Sequence, residues 1–210
     1  MKYIFVAGAP GSKWSSVVKN IYYSPNIDRS DFSLDRTYYH DATGRTELMH
    51  MGAYFDPGME FGDWFSGYRG FGERSKEEHE LEFDRPFSGE GFRIIKSHWF
   101  SYARHIEFIK KTWPECPLIL VHRPDDACLG WWVKCGHFNI TYPNYQHYDD
   151  LRLMAGVIQA QNLGILDGMK NYPGKTPLNN TMLCDMLNIE QPPKDYQQDY
   201  GASDVKVTVI

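Results

Sequence analysis

An unbroken apolar run, Tyr3-Ile4-Phe5-Val6-Ala7, leads directly into Gly8-Ala9-Pro10-Gly11-Ser12-Lys13-Trp14-Ser15-Ser16 and then Val17-Val18-Lys19-Asn20-Ile21. No charge interrupts the run, so neither of its faces is built for water. It predicts a strand buried on both sides, as in a parallel sheet covered by helices. Val17, Val18 and Ile21 recur at helical spacing, and Ser12 or Ser15 is placed to cap a helix starting there. Strand, glycine-containing turn and helix in succession make an anion site. Glycine lets the backbone approach, and the N–H groups of the first helical turn point at the guest. Phosphate is the usual guest.

The same strand-helix alternation continues down the chain. Phe92-Arg93-Ile94-Ile95-Lys96 predicts a second strand. Ile106, Ile109, Lys110 and Trp113 predict an amphipathic helix stopped by Pro114. Leu118-Ile119-Leu120-Val121 predicts a third strand, and Leu129, Trp132 and Val133 a helix after it. Leu153, Val157, Ala160, Leu163, Ile165 and Leu166 predict a long helix from Asp149 or Asp150 to Met169. A shorter helix is expected over Asn179 to Leu187, with Pro192-Pro193 ending it, and Val205 to Ile210 reads as a closing strand at the sheet edge. This alternation implies an α/β fold, a mostly parallel sheet flanked by helices. A chain of 210 residues suits one domain spanning 1–210, with an irregular, aromatic- and glycine-rich insertion around 24–90. Inside that insertion, Tyr22 to Leu48 is turn-rich. Glycines alternate with aromatics from Gly52 to Gly72, in a loop whose rings either face an acceptor, as on sugar-binding surfaces, or pack down on the sheet. Ser75 to Glu80 is expected as a solvated charged segment with His79 at its surface.

Composition removes several classes of function. A net charge of −5 without a Lys/Arg run argues against nucleic-acid binding. Cys116, Cys128, Cys135 and Cys184 lack paired CxxC spacing and read as buried, reduced thiols of a cytoplasmic protein. Eight histidines without HxH or HExxH spacing imply no metal. No apolar stretch approaches transmembrane length and none resembles a signal peptide, so no membrane attachment is expected.

Gly8 to Ser15 nearly fits a Walker A loop, G-x-x-x-x-G-K-[ST], but Lys13 stands at the last glycine and Trp14 at the lysine. An indole cannot neutralise a β/γ-phosphate, which disfavours ATP phosphoryl transfer. The loop instead resembles the 5′-phosphosulfate loop of sulfotransferases, commonly P-K/R-S-G-T-T. Pro10 and Ser12 match it, Ser15 replaces the second threonine, Gly11 stands at the basic position, and Lys13 brings the cation two places later. Lys96-Ser97-His98 at the end of the second strand resembles the family's K-T-H. His122-Arg123-Pro124-Asp125-Asp126, continuing through Gly130 to Trp131-Trp132, resembles its 3′-phosphate segment, roughly R-[ND]-P-x-D-x-x-x-S-[YW]-[YW]. Pro124, Asp126 and both tryptophans match, whereas the family arginine falls on His122 and its serine on Gly130. The family's R-K-G-x-x-G segment is not found.

The resemblance covers Lys2 to about Trp132 and identifies the chain as a short, divergent sulfotransferase of P-loop type, a three-layer sandwich. It implies transfer of a sulfuryl group from 3′-phosphoadenosine 5′-phosphosulfate to the hydroxyl or amine of a small-molecule, sugar or lipid-like acceptor, without a metal. His98 would be the general base, a role open to a neutral imidazole near pH 7. Lys13 and Lys96 would stabilise charge on the leaving phosphate. Pro10, Gly11, Ser12, Lys13, Trp14, Ser15, Ser16, Arg123 and Gly130 would hold the nucleotide. The alternatives are a nucleotide or nucleoside kinase with a degenerate loop, and a catalytically silent nucleotide-binding or scaffold protein.

Overall fold

The computed structural model describes residues 2–31, 51–55, 70–134, 150–193 and 203–210. Five strands form one sheet in the order β2-β3-β1-β4-β5: β1 (Tyr3–Gly8), β2 (Ala53–Tyr54), β3 (Arg93–Lys96), β4 (Leu118–His122) and β5 (Lys206–Val209). The first four run parallel, and β5 pairs antiparallel with β4. All six residues of β1 are buried, as the apolar run requires. Its alternate residues feed two cores, Ile4 and Val6 on one face and Tyr3, Phe5 and Ala7 on the other. The chain adds β3 to one edge of β1 and β4 to the other. Strand order therefore reverses at β1, and the carboxyl end of such a strand is where open α/β sheets hold their ligands.

Helices cover both faces. Among the described residues they are α1 (Trp14–Tyr22), α2 (Gly70–Glu73), α3 (Lys76–Asp84), α4 (Ala103–Thr112), α5 (Asp125–Lys134), α6 (Leu151–Asn171) and α7 (Asn180–Leu187), with a 3-10 turn at His98–Ser101. Val17, Val18 and Ile21 of α1 and Leu183, Cys184 and Leu187 of α7 pack with Ile94, Ile119 and Val121 into a largely aliphatic core. The opposite core is aromatic. Phe5 meets Phe83 and Phe100 edge-on and Trp113 at a tilt, with centroids 5.3 to 5.9 Å apart, within the range where such pairs add to simple burial. Cys116, Cys128 and Cys184 are buried free thiols, and Cys135 lies outside the described residues. Among the described residues no helix is long and apolar enough to cross a membrane.

Three expectations need correction. The charged segment after Ser75 is helix α3, started by a capping box in which Ser75 Oγ accepts from Glu78 N–H and the Glu78 carboxylate accepts from Ser75 N–H. His79 is not a surface residue. It is buried in the aromatic core, and its Nε2 lies 2.7 Å from the Phe71 carbonyl, to which it donates. Only His79 and Phe83, one turn apart, are buried on this helix, while Glu80 accepts from Trp113 Nε1 and Asp84 from Tyr3 OH, both at 2.9 Å. The glycine- and aromatic-rich stretch also contributes to the sheet, because Ala53 and Tyr54 form β2 against Ile95 and Lys96; its residues 56–69 lie outside the described set, as do residues 32–50. Finally, α6 is present, but Leu153, Leu163 and Leu166 point outward. Its buried face is Met154, Ile158, Gln161, Asn162, Gly164, Ile165 and Gly168. Close approach to the 3-10 turn selects small and amide side chains there rather than leucines.

Gly164 and Gly156 of α6 separate helix propensity from packing. A Cβ on Gly164 would lie 2.2 Å from the Ser101 carbonyl oxygen and 2.7 Å from Ala103 N, backbone atoms with no room to yield, whereas one on Gly156 meets nothing within 4 Å. Alanine gains about 1 kcal/mol over glycine inside a helix. Gly156→Ala is therefore expected to stabilise by about 0.5–1 kcal/mol. Gly164→Ala is expected to destabilise by about 1–3 kcal/mol despite the same propensity gain. Urea denaturation of the two variants checks the opposite signs.

Candidate functional site

The loop after β1 is a tight turn. Ser12 N–H donates to the Ala9 carbonyl at 3.0 Å, and Gly11 sits at φ 78. Proline at the second position and a positive-φ glycine at the third make Ala9-Pro10-Gly11-Ser12 a type II turn. Lys13 follows in the left-handed region at φ 63 and opens α1 without a side-chain cap, so neither Ser12 nor Ser15 caps the helix. Four of the loop's carbonyls accept hydrogen bonds from within the chain. Gly8 O takes a hydrogen bond from His98 Nδ1, Ala9 O from Ser12 N–H, Gly11 O from Arg123 Nη1 at 3.1 Å, and Lys13 O from Ser16 N–H at 2.9 Å. The N–H groups that open α1 lie at the end of this loop, and the N–H groups of a helix start favour an anion.

Among the described residues, two cations stand at this loop. Arg123, just beyond β4, is buried, and its backbone carbonyl is held by Asn162 Nδ2 of α6 at 2.8 Å. Its Nε donates to Asp204 Oδ2 at 2.6 Å. Lys13 Nζ lies 3.8 Å from Asp204 Oδ1 and 5.5 Å from the centre of the Trp131 ring. The hydrogen bond from Arg123 holds the Asp204 carboxyl below the usual carboxylate range, with the charge of Arg123 and of Lys13 adding to it. Helix α5 closes over the turn so tightly that a Cβ on Gly11 would lie 2.2 Å from the Cys128 carbonyl oxygen. Burial pushes the Cys128 thiol up to about 12, so it is no nucleophile.

The second group lies beneath the loop. His98 follows β3 and is buried, with its ring stacked on Trp14 at 4.1 Å and meeting Tyr54 edge-on at 5.7 Å. A carbonyl only accepts, so the contact with Gly8 O places the proton on Nδ1 and leaves Nε2 as the basic atom. Burial lowers the His98 pKa to about 4, and the nearby Lys96 charge works in the same direction. Lys96 is buried on the same side of the sheet, with Nζ 5.8 Å from the centre of the Trp14 ring.

Comparison with protein-family models, curated proteins and solved structures finds no match.

The sheet gathers most of the expected site residues at one end. Lys13, Gly11 and Arg123 share one cluster, and Trp14, Lys96 and His98 share another, joined through the backbone of the loop. Pro10 and the Ser12 side chain are buried, so they shape the turn rather than line its outer face. The Trp14 ring points into the core, which leaves its N–H as the part that can meet a ligand. Ser15 is half-buried and Ser16 exposed. Gly130 is exposed on α5 with open space around it. Asp204 escaped the sequence reading. Only the antiparallel pairing of β5, with Lys206 opposite His122, brings the residues before β5 to the carboxyl end of β4.

Among the described residues, three buried histidines make the fold sensitive to acid. Burial holds His79, His98 and His105 each at about 4, against 6.5 for the free side chain. Above pH 6.5 neither the folded nor the unfolded chain binds these protons. Between 6.5 and about 4 only the unfolded chain does, so stability falls as the pH drops, by up to about 1.4 kcal/mol per pH unit for each histidine. Below about 4 both states are protonated and the loss levels off. Urea denaturation at pH 7 and pH 5 is expected to show a drop of several kcal/mol, and equal midpoints would contradict the burial of these rings.

Proposed function

We propose that the chain is a sulfotransferase that moves a sulfuryl group from 3′-phosphoadenosine 5′-phosphosulfate to an acceptor hydroxyl or amine, on a P-loop-type three-layer sandwich. One observation carries the reading. The three segments that resemble the family's motifs end together at the carboxyl end of β1, β3 and β4, with a donor-rich loop, two cations and a neutral imidazole. In the proposed reaction, His98 Nε2 takes the acceptor's proton as the acceptor oxygen or nitrogen attacks sulfur. The bond between sulfur and the 5′-phosphate oxygen breaks, and adenosine 3′,5′-bisphosphate leaves with the electron pair. Lys13 and the N–H groups of the first turn of α1 would stabilise the charge growing on that phosphate. Arg123 would supply a forked donor to the nucleotide's anionic groups. The degenerate-kinase reading has less behind it, since Trp14, at the Walker lysine position, is buried in the core.

A catalytically silent anion-binding protein is favoured by a different observation. The Trp14 ring covers one face of His98 and lies under the Lys96 ammonium, so both groups sit below the loop rather than beside Lys13.

Ligand-dependent melting separates the sulfotransferase from the kinase, and turnover separates it from a silent binder. Adenosine 3′,5′-bisphosphate is expected to raise the melting temperature more than ATP with Mg²⁺. At a concentration 100 times its dissociation constant, it would add about 2.7 kcal/mol to the folded state. Equal or greater stabilisation by ATP with Mg²⁺ would favour a kinase.

With a working acceptor, His98→Gln is expected to lower turnover by about two to four orders of magnitude, the usual share of a positioned base. Donor affinity should stay within a few-fold. The acid limb of the wild-type rate should lie near pH 4 rather than near 6.5, following the lowered pKa of His98. Normal turnover in a folded His98→Gln protein would end the base assignment.

A further inference from the structure

The Asp204 carboxylate sits where an incoming anion would be expected. Its two oxygens address two cations, Oδ2 accepting from Arg123 Nε at 2.6 Å and Oδ1 lying 3.8 Å from Lys13 Nζ. Arg123 has a second bond, from Nη1 to the Gly11 carbonyl of the loop itself. A guanidinium on a side chain only 10% exposed needs a counter-charge, and Asp204 provides one from within the chain. The backbone around it is well held. Ser203 Oγ donates to the Val205 carbonyl at 3.0 Å and accepts from Val205 N–H at 3.1 Å, which closes a small turn about Asp204. Val205 is buried in the aliphatic core, and β5 follows at once. The Asp204 side chain is nonetheless 40% exposed. Its carboxylate can swing into water by side-chain rotation alone, without disturbing the backbone that carries it.

We propose that Asp204 is a tethered competitor, an internal anion that holds the loop cations Lys13 and Arg123 until a phosphate or phosphosulfate group displaces it. The inference rests on the proposed reading of the loop as an anion site, and it adds what sets the affinity of that site. A ligand then meets cations that are already engaged, and its apparent affinity falls by the fraction of molecules in which the carboxylate has let go. An engagement of about nine parts in ten would weaken binding about tenfold. Electrostatic complementarity survives the exchange because one anion replaces another, which leaves the buried guanidinium paired throughout.

Calorimetric titration of wild type, Asp204→Asn and Ser203→Ala with adenosine 3′,5′-bisphosphate, and separately with inorganic pyrophosphate, tests this. Asparagine keeps the shape and an acceptor for Arg123 but removes the charge. Competition predicts that Asp204→Asn binds both probes about tenfold more tightly than wild type. Unchanged or weaker binding in Asp204→Asn, with the wild type still binding, makes Asp204 a brace for Arg123; that outcome overturns the competitor and spares the donor-binding reading. If neither protein binds either probe, the loop is not an anion site and both fall. Tighter pyrophosphate binding without nucleotide binding supports the competitor and counts against the sulfotransferase. Should Asp204→Asn melt too low to titrate, Ser203→Ala decides, since it loosens the turn with both charges in place. Tighter binding in Ser203→Ala supports competition, and unchanged or weaker binding overturns it.

Discussion

The structure depends on the pairing of β1 along both of its edges. A strand without charge or alternation cannot lie at a sheet edge or face water, so its backbone has to be satisfied by neighbours on either side. Those neighbours, β3 and β4, run parallel to it. Parallel strands finish at the same end of the sheet. The residues that follow them, Ser97 and His98 after β3 and Arg123 after β4, are therefore delivered to the same place as the Gly8 to Lys13 turn. The site is a consequence of strand direction more than of any contact within it.

The turn itself is fixed from several sides before any ligand arrives. Type II geometry, the His98 ring on Gly8, the Arg123 guanidinium on Gly11 and the α5 backbone pressed against Gly11 leave it little freedom. Fixed donors cost little reorganisation when charge develops, which suits the turn to the role proposed for it. The cations differ in mobility. Arg123 is buried and anchored, while Lys13 is one-third exposed and leans on Trp131.

Local patterns carried much of this into the sequence. The β1 run, the Pro-Gly turn and the apolar cores of β3 and β4 are visible because a short apolar run beside turn-forming residues marks a strand buried on two faces. Helix α3 was hidden because only two of its residues enter the core, and its true signal was the capping box at Ser75 and Glu78 rather than hydrophobicity. The existence of α6 was legible but its face was not, since leucine spacing marks a helix whether or not those leucines find a partner. Strand β2 is two residues long and exists only by virtue of β3. Among site residues, Lys13, His98 and Arg123 announced themselves through loops at strand ends. The inward turn of Trp14 depends on the cavity between α1, Tyr54 and His98, and the arrival of Asp204 depends on a pairing between segments far apart in sequence.

The two cores differ in kind, and that difference bears on how such a chain can drift. The α3, α4 and α6 side is a mesh of rings whose edges and faces must match, and truncating one of them costs about 3–5 kcal/mol. The α1 and α7 side is mainly valine, isoleucine and leucine, among which volume-conserving exchanges usually cost less than about 1.5 kcal/mol. The helix that carries the loop thus rides on the forgiving side of the sheet. Neutral substitutions accumulating under α1 can shift it by fractions of an ångström while the aromatic side preserves the fold. A lineage of such proteins has a built-in route to retune what the loop accepts, without ever passing through an unfolded ancestor.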